Sequence, residues 1–364
     1  MPSDAPERIE WVDAYKGLAI VLVVLGHANS PLNAYIYLFQ VAAFFFISGF
    51  TTSAQTKPFS RFVATRAMRL LVPFYAVNLL LIAVKALVSL VGLGPWLFTD
   101  PLPPHLVPQA IGALLRSSNT SDLGGATWFL PVLFVASLAA DLVLRAARLA
   151  ARRGPTVEVL VLTVGTAGAL GLGVVLRAHE VTVSWWSLDL VPFATFFLLT
   201  GALCRRLEIL DREIDPMWAL PLGLAAMFYF ARLRFALVDW PSRAFDAFPW
   251  PGLISTFSGI YLTYLLSLAL GRWRTISRAL AYIGRNTLPI LFFHFAAFRV
   301  VFVILWIAKL APLGQLSHLT PIASSWLSLP ICAAAILASL GLAVLVEKLP
   351  GSWVLLGRPK RERA

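Results

Sequence analysis

Ten apolar runs of about twenty residues recur along this chain, and that recurrence constrains its fold more than any other feature. As a helix, such a run crosses about 30 Å of hydrocarbon, where every backbone amide must be bonded internally because no water is available. The runs lie at Trp11 to Ala28, Ala34 to Ser53, Leu70 to Val91, Thr127 to Leu144, Val157 to Leu176, Ser184 to Cys204, Met217 to Ala231, Leu253 to Leu270, Ala281 to Ile307 and Ser325 to Val346. They are apolar on all sides instead of alternating with period two, which favours helices and disfavours a β-barrel. With 59% of residues hydrophobic, 13% charged and a mean hydropathy of +0.79, no polar tract is large enough for a separate soluble domain. The expectation is an all-α transmembrane helix bundle forming one domain over residues 1–364, with spans over 11–347 and a basic tail over 348–364.

Lys and Arg accumulate in cytoplasmic loops. An inside N-terminus puts 22 of the 30 on the cytoplasmic side and six outside (Arg116, Arg177, Arg232, Arg234, Arg243 and Lys309), with Lys85 and Arg299 inside spans. This predicts cytoplasmic termini and a multi-pass protein of a bacterial inner membrane. The net charge of +12 then reflects contact with anionic lipid, and nucleic acid is not an expected partner. The first run, with Arg8 and Lys16 at its start, resembles a signal peptide, but nine further spans make it an uncleaved anchor. Cys204 and Cys332 lack metal-type spacing and read as small apolar packing residues. Asn119-Thr120-Ser121 matches a glycosylation sequon too short to carry weight, and the Pro, Trp and Phe of 235–251 read as an interfacial loop.

The informative residues are polar ones inside apolar helices, because an ionisable group there costs roughly 2.5–3.5 kcal/mol on insertion scales unless a partner or a function retains it. His27, Lys85, Asp189, His294 and Arg299 qualify. Gly26 beside His27 would let a helix or ligand approach the imidazole closely. Lys16 precedes His27 by three helical turns, so the two share a face about 16 Å apart along the axis. A cation at the cytoplasmic mouth and a base deep in the bundle suit the two ends of one long ligand. Coenzyme A is such a ligand, with phosphates near Lys16 and the thioester near His27. The plainer reading of Lys16 is a charge marking the end of the span.

A second basic cluster precedes the third run. Arg66 and Arg69, at i and i+3, project from one side of a helix and suit a diphosphate, although cytoplasmic charge bias alone also explains them. Arg285 and Asn286 open the ninth run, where a helix N-terminus would itself attract phosphate. His294 should lie about 13 Å deeper on that helix, facing His27 or simply packing in the core.

These residues carry a resemblance. Residues Arg8 to Ile20 (Arg-Ile-Glu-Trp-Val-Asp-Ala-Tyr-Lys-Gly-Leu-Ala-Ile), leading into Leu25-Gly26-His27, resemble the opening of the acyltransferase-3 family, most of all its fucose 4-O-acetylase-like group. Phe44-Phe45-Phe46-Ile47-Ser48-Gly49-Phe50 is similar to the family's second-span signature. Arg66 to Arg69 with Leu70-Leu71-Val72-Pro73-Phe74 resembles its arginine pair and proline, and Thr127-Trp128-Phe129-Leu130-Pro131 its Trp-Phe-Leu segment. Ile283-Gly284-Arg285-Asn286-Thr287 through His294 is similar to its late segment ending in histidine. The resemblance implies O-acylation, usually O-acetylation, of cell-surface carbohydrate from acyl-CoA, with the first-span histidine essential and the arginine pair tied to the donor. Where the family reads Phe-His-Met-Pro, this chain has Phe39-Gln40-Val41-Ala42, a departure that bears on the acceptor. The family's appended periplasmic hydrolase-like domain is not expected in a chain that runs to Ala364.

Together these readings make His27 the general base that takes a proton from a sugar hydroxyl as it attacks the thioester. Direct transfer is more economical than an acyl-histidine intermediate. Lys16, Arg66, Arg69 and Arg285 would bind the donor, and Asp13 would orient Lys16. Ser48, Trp128, Asp189, His294 and Arg299 are candidates for the channel or the acceptor. The expected partners are acyl-CoA as co-substrate, a carbohydrate or glycolipid acceptor and the bilayer, with no resident cofactor and no metal. The competing classes are a polysaccharide transporter, which should show paired broken helices, and a membrane scaffold.

Overall fold

A computed structural model of the chain describes residues 10–52, 58–116, 122–210, 216–232, 240, 243, 249–315, 317–318 and 325–357. Arg8 and Ile9, the 119–121 sequon, most of the 235–251 loop and the end of the basic tail lie outside the described residues. Among those described there is no β-strand. The principal helices are α1 (Glu10–His27), α2 (Gln40–Phe50), α3 (Phe59–Leu90), α4 (Val107–Arg116), α5 (Phe129–Ala150), α6 (Pro155–Ala178), α7 (Val191–Arg206), α8 (Pro216–Arg232), α9 (Pro249–Gly271), α10 (Arg274–Arg285), α11 (Thr287–Ile307) and α12 (Ser328–Glu347). They form an all-α multi-pass membrane bundle. Its outer faces carry large exposed apolar side chains such as Leu87, Leu160, Leu222 and Leu337, the surface that lipid rather than water can cover.

Eight helical stretches among the described residues are long and apolar enough to cross a membrane. They are Asn33–Phe50, Phe59–Leu90, Asp122–Arg153, Pro155–Ala178, Trp185–Arg206, Gly252–Gly271, Thr287–Ile307 and Ser328–Glu347. The other two of the ten expected runs form helices that fall short. Helix α8 has 17 residues, and α1 carries Glu10, Asp13 and Lys16 within its 18. Yet α1 is a central element, packed against α2, α9, α10, α11 and α12, with Tyr15 and Val24 fully buried.

Three expected runs are rearranged. The second divides into a turn at Asn33–Ile36 and α2, because Phe39 leaves helical geometry. In the sixth, Trp186 and Ser187 adopt left-handed backbone, with Trp186 anchored by a 3.0 Å hydrogen bond from its indole Nε1 to the Tyr75 hydroxyl. The ninth breaks at Asn286, so residues from Ala281 to Arg285 belong to the amphipathic helix α10 and the apolar span begins only at Thr287. Helix α10 is charged along one face, with Arg274, Arg278 and Arg285, which suits an interfacial helix better than a spanning one.

Two glycine crossings fix how the helices meet. A Cβ at Gly17 would lie 2.0 Å from the Leu280 carbonyl oxygen, and one at Gly284 1.9 Å from that of Asp13, so α1 and α10 touch backbone to backbone. Likewise a Cβ at Gly49 would lie 1.8 Å from the Leu198 oxygen and one at Gly201 2.0 Å from the Phe46 oxygen, locking α2 to α7. Close approach through small residues is the main packing force available where lipid is as apolar as the side chains. Gly201→Val should therefore destabilise the protein by at least the 1–3 kcal/mol typical of overpacking, roughly. A thermal midpoint in detergent unchanged from wild type would refute this contact.

Candidate active site

One cavity of about 740 Å³ runs through the middle of the bundle, within the range of small-molecule and cofactor sites. At one end it is lined by Asp13, Lys16, Ser48, Leu70, Arg285, Thr287 and Leu288, and at the other by His27, Tyr37, Gln40, Gly125, Ala126 and Phe295. Trp128, Phe129 and Trp240 form an aromatic flank. Lys16 and His27 both face it because eleven residues are close to three turns of one helix. Arg285 is the last residue of α10, not part of the following span, and its guanidinium lies 3.9 Å from the Asp13 carboxylate. The N-terminus of α11, at Thr287, also opens on the cavity, and unsatisfied amides at such a terminus attract anions.

His27 ends α1. Its Nδ1 is 3.5 Å from the Tyr37 hydroxyl, its ring stacks on His294 with centroids 5.3 Å apart, and Phe295 lies 4.9 Å away. His294 is fully buried behind it. The His294 Nδ1 faces the carbonyl oxygens of Ile290 and Leu291, each at 3.0 Å, and since carbonyls only accept, this nitrogen carries the hydrogen. Its Nε2 is left as a buried acceptor without a hydrogen-bond partner among the described residues. At Gly26 a Cβ would meet Gln40 Oε1 at 3.0 Å and the Tyr37 ring at 3.2 Å, so its absence leaves room for both side chains beside the end of α1.

The other expected residues lie elsewhere. Arg66 and Arg69 do not line the cavity. Arg66 reaches the Thr52 hydroxyl at 3.5 Å and covers the Phe62 ring, and Arg69 is exposed. Both lie on α3 just before Leu70, which does line it, so they sit near its Lys16 end. Asp189 borders a separate cleft of about 90 Å³, where Arg243 grips it through Nε at 2.5 Å and Nη2 at 3.0 Å and the Val183 amide donates to it. Its carboxylate is thus occupied by protein groups. Arg299 does not line the cavity and faces a cluster of charges with Lys85, Asp100 and Asp122.

Tyr37, Phe295, Asp100, Asp122 and Trp240 carry no motif and were not legible as site residues. A signal for the acids did exist, since two cations inside spans, Lys85 and Arg299, demand counter-charges. Asp100 lies outside the spans, and partial desolvation together with the neighbouring Asp122 carboxylate raises its pKa above the ordinary carboxylate range.

The family described as an acyltransferase domain, acyltransferase-3, matches residues 9–347. No curated protein and no solved structure matches the chain.

Proposed function

The chain belongs to the acyltransferase-3 family and is a membrane acyltransferase, and we propose that it moves an acyl group, in the simplest case acetyl, from acyl-CoA to a hydroxyl of a cell-surface or exopolysaccharide sugar. The observation that carries this reading is a single cavity lined at one end by Lys16 and Arg285 and at the other by His27. That separation suits a donor with phosphates at one end and its reactive carbonyl at the other. The family match sets the transporter and scaffold readings aside.

In this mechanism Lys16, Arg285 and the α11 N-terminus hold the donor phosphates, with Arg66 and Arg69 drawing the anion toward that end. The pantetheine arm follows Ile20, Val23 and Leu291. His27 removes the proton of the sugar hydroxyl as its oxygen attacks the thioester carbonyl carbon. The carbon–sulfur bond then breaks, and the departing thiolate takes a proton from the imidazolium, returning His27 to its neutral form. Trp128, Phe129 and Trp240 offer the aromatic faces against which an acyl group or sugar ring can pack. The excess of Lys and Arg in alternate loops supports cytoplasmic termini, a cytoplasmic donor and a bacterial inner membrane.

Mass spectrometry of surface glycans from cells with and without the gene tests the reaction, alongside transfer from labelled acyl-CoA by the purified protein in liposomes. One acyl unit gained on a sugar, dependent on the donor, is expected. Absence of donor-dependent acylation of carbohydrate would overturn the reading. Lys16→Ala and Arg285→Ala should each raise the KM for acyl-CoA about 10- to 150-fold, from loss of a charge-assisted contact of roughly 1.5–3 kcal/mol, with kcat much less affected. A donor KM unchanged in both variants would remove these residues from the donor site.

A further inference from the structure

A cluster of charges beside the cavity, in which Lys85, Asp122 and Arg299 are buried and Asp100 is exposed, has no part in the mechanism above. Lys85, near the end of α3 and 1% exposed, contacts the Asp100 carboxylate and lies 2.8 Å from Asp122 Oδ1. Arg299, on α11 and 7% exposed, faces Asp122 Oδ2 at 3.7 Å, and its guanidinium nitrogens have no hydrogen-bond partner among the described residues. Asp122 also accepts from the backbone amides of Thr99, at 3.2 Å, and Leu123, at 2.8 Å. One carboxylate therefore joins α3, α11 and the loop before α4.

Asp122 opens the turn 122–128. A few residues on, Gly125 and Ala126 form cavity wall at the His27 end. The same turn is held a second time by α3, where the Asn78 amide donates to the Thr127 hydroxyl at 3.0 Å. It also abuts α11, since a Cβ at Gly125 would lie 3.4 Å from the Phe295 ring, which itself packs 4.9 Å from the His27 ring. We infer that Asp122, held by Lys85 and Arg299, is a positioning residue of the acyl transfer: it fixes the wall against which the acceptor must align with His27. It touches neither reactant. Buried ion pairs add little net stability but are directional, which suits them to fixing one arrangement of a turn between two helices. Loss of about 1 Å of register beside a base is enough to lower a rate by about two orders of magnitude.

This inference rests on the proposed reaction, and the test separates the two. Asp122→Asn and Arg299→Lys would be purified and compared with wild type for kcat and donor KM. In parallel, modification of His27 by diethyl pyrocarbonate would be followed by peptide mass spectrometry, a readout that needs no acyl transfer. The expected result is a kcat at least tenfold lower in Asp122→Asn, a donor KM within about twofold, an intermediate kcat in Arg299→Lys, and His27 modified several-fold faster in both. Should Asp122→Asn fail to fold, Arg299→Lys, which keeps the charge and loses only the planar fork, decides the matter. Unchanged kcat and unchanged His27 labelling in a folded variant would overturn the inference. Faster labelling in a protein with no transferase activity would uphold the wall and reject the reaction.

Discussion

His27→Ala is expected to lower acyl transfer by a factor of about 10² to 10⁴, the range that a positioned general base contributes. Among the described residues the other imidazole near the cavity belongs to His294, whose ring lies behind His27, is fully buried, and is held by its Nδ1 to two backbone carbonyls. Freeing it would break both hydrogen bonds, so it is a poor substitute base. Donor binding should persist, because Lys16 and Arg285 lie at the far end of the cavity. Measured transfer within tenfold of wild type, with the variant folded and monodisperse, would show that another group performs the deprotonation. His27→Gln, which keeps a polar side chain of similar reach without a basic nitrogen, should be as impaired as the alanine variant.

The second large effect is one of stability. Lys85→Met keeps most of the side-chain volume but removes the cation between Asp100 and Asp122. Asp122 is 6% exposed and would be left with a carboxylate whose remaining cation, Arg299, stands 3.7 Å away. Removing one partner of a buried pair typically costs about 3–5 kcal/mol, because the survivor stays desolvated without compensation. In a protein of this size that corresponds to a fall in thermal midpoint of roughly 4–7 °C. A melting curve in detergent that overlays wild type would mean that Asp122 takes up a proton or finds water instead. Asp122→Asn in the Lys85→Met background should then recover part of the loss, since the uncompensated charge is gone.

Much of the architecture was legible because its causes are local. A run such as Pro155–Ala178, begun by a proline after Gly154 and without a charge between Glu158 and Arg177, has few alternatives to a spanning helix. The shared face of Lys16 and His27 is also local, set by helical periodicity alone. Other features were not legible. The apolar content from Ala281 to Ile307 reads as one long span, although Asn286 with Pro289 three residues on also carries the local signal of a helix start. Not legible was that Gly284, just before the break, packs onto the Asp13 carbonyl, a contact with a helix more than 250 residues earlier. Gln40 could be read only as a departure from a motif. In the bundle it is 4% exposed, lines the cavity beside His27, and its Oε1 has no partner among the described residues.

The amino-acid order by itself thus determined the membrane environment, the helical class, the approximate extent of most spans and the pairing of a mouth cation with a deep imidazole. Hydropathy and helical pitch act over a few turns and need no knowledge of neighbours. Only the tertiary structure decided which charges meet. It brought Asp100 and Asp122 to Lys85 and Arg299, seated His294 behind His27, gave Asp189 to Arg243 and left Arg66 and Arg69 off the cavity wall. Those outcomes depend on how distant helices cross, and the crossings are set by backbone contact at glycines whose partners lie far away in the chain.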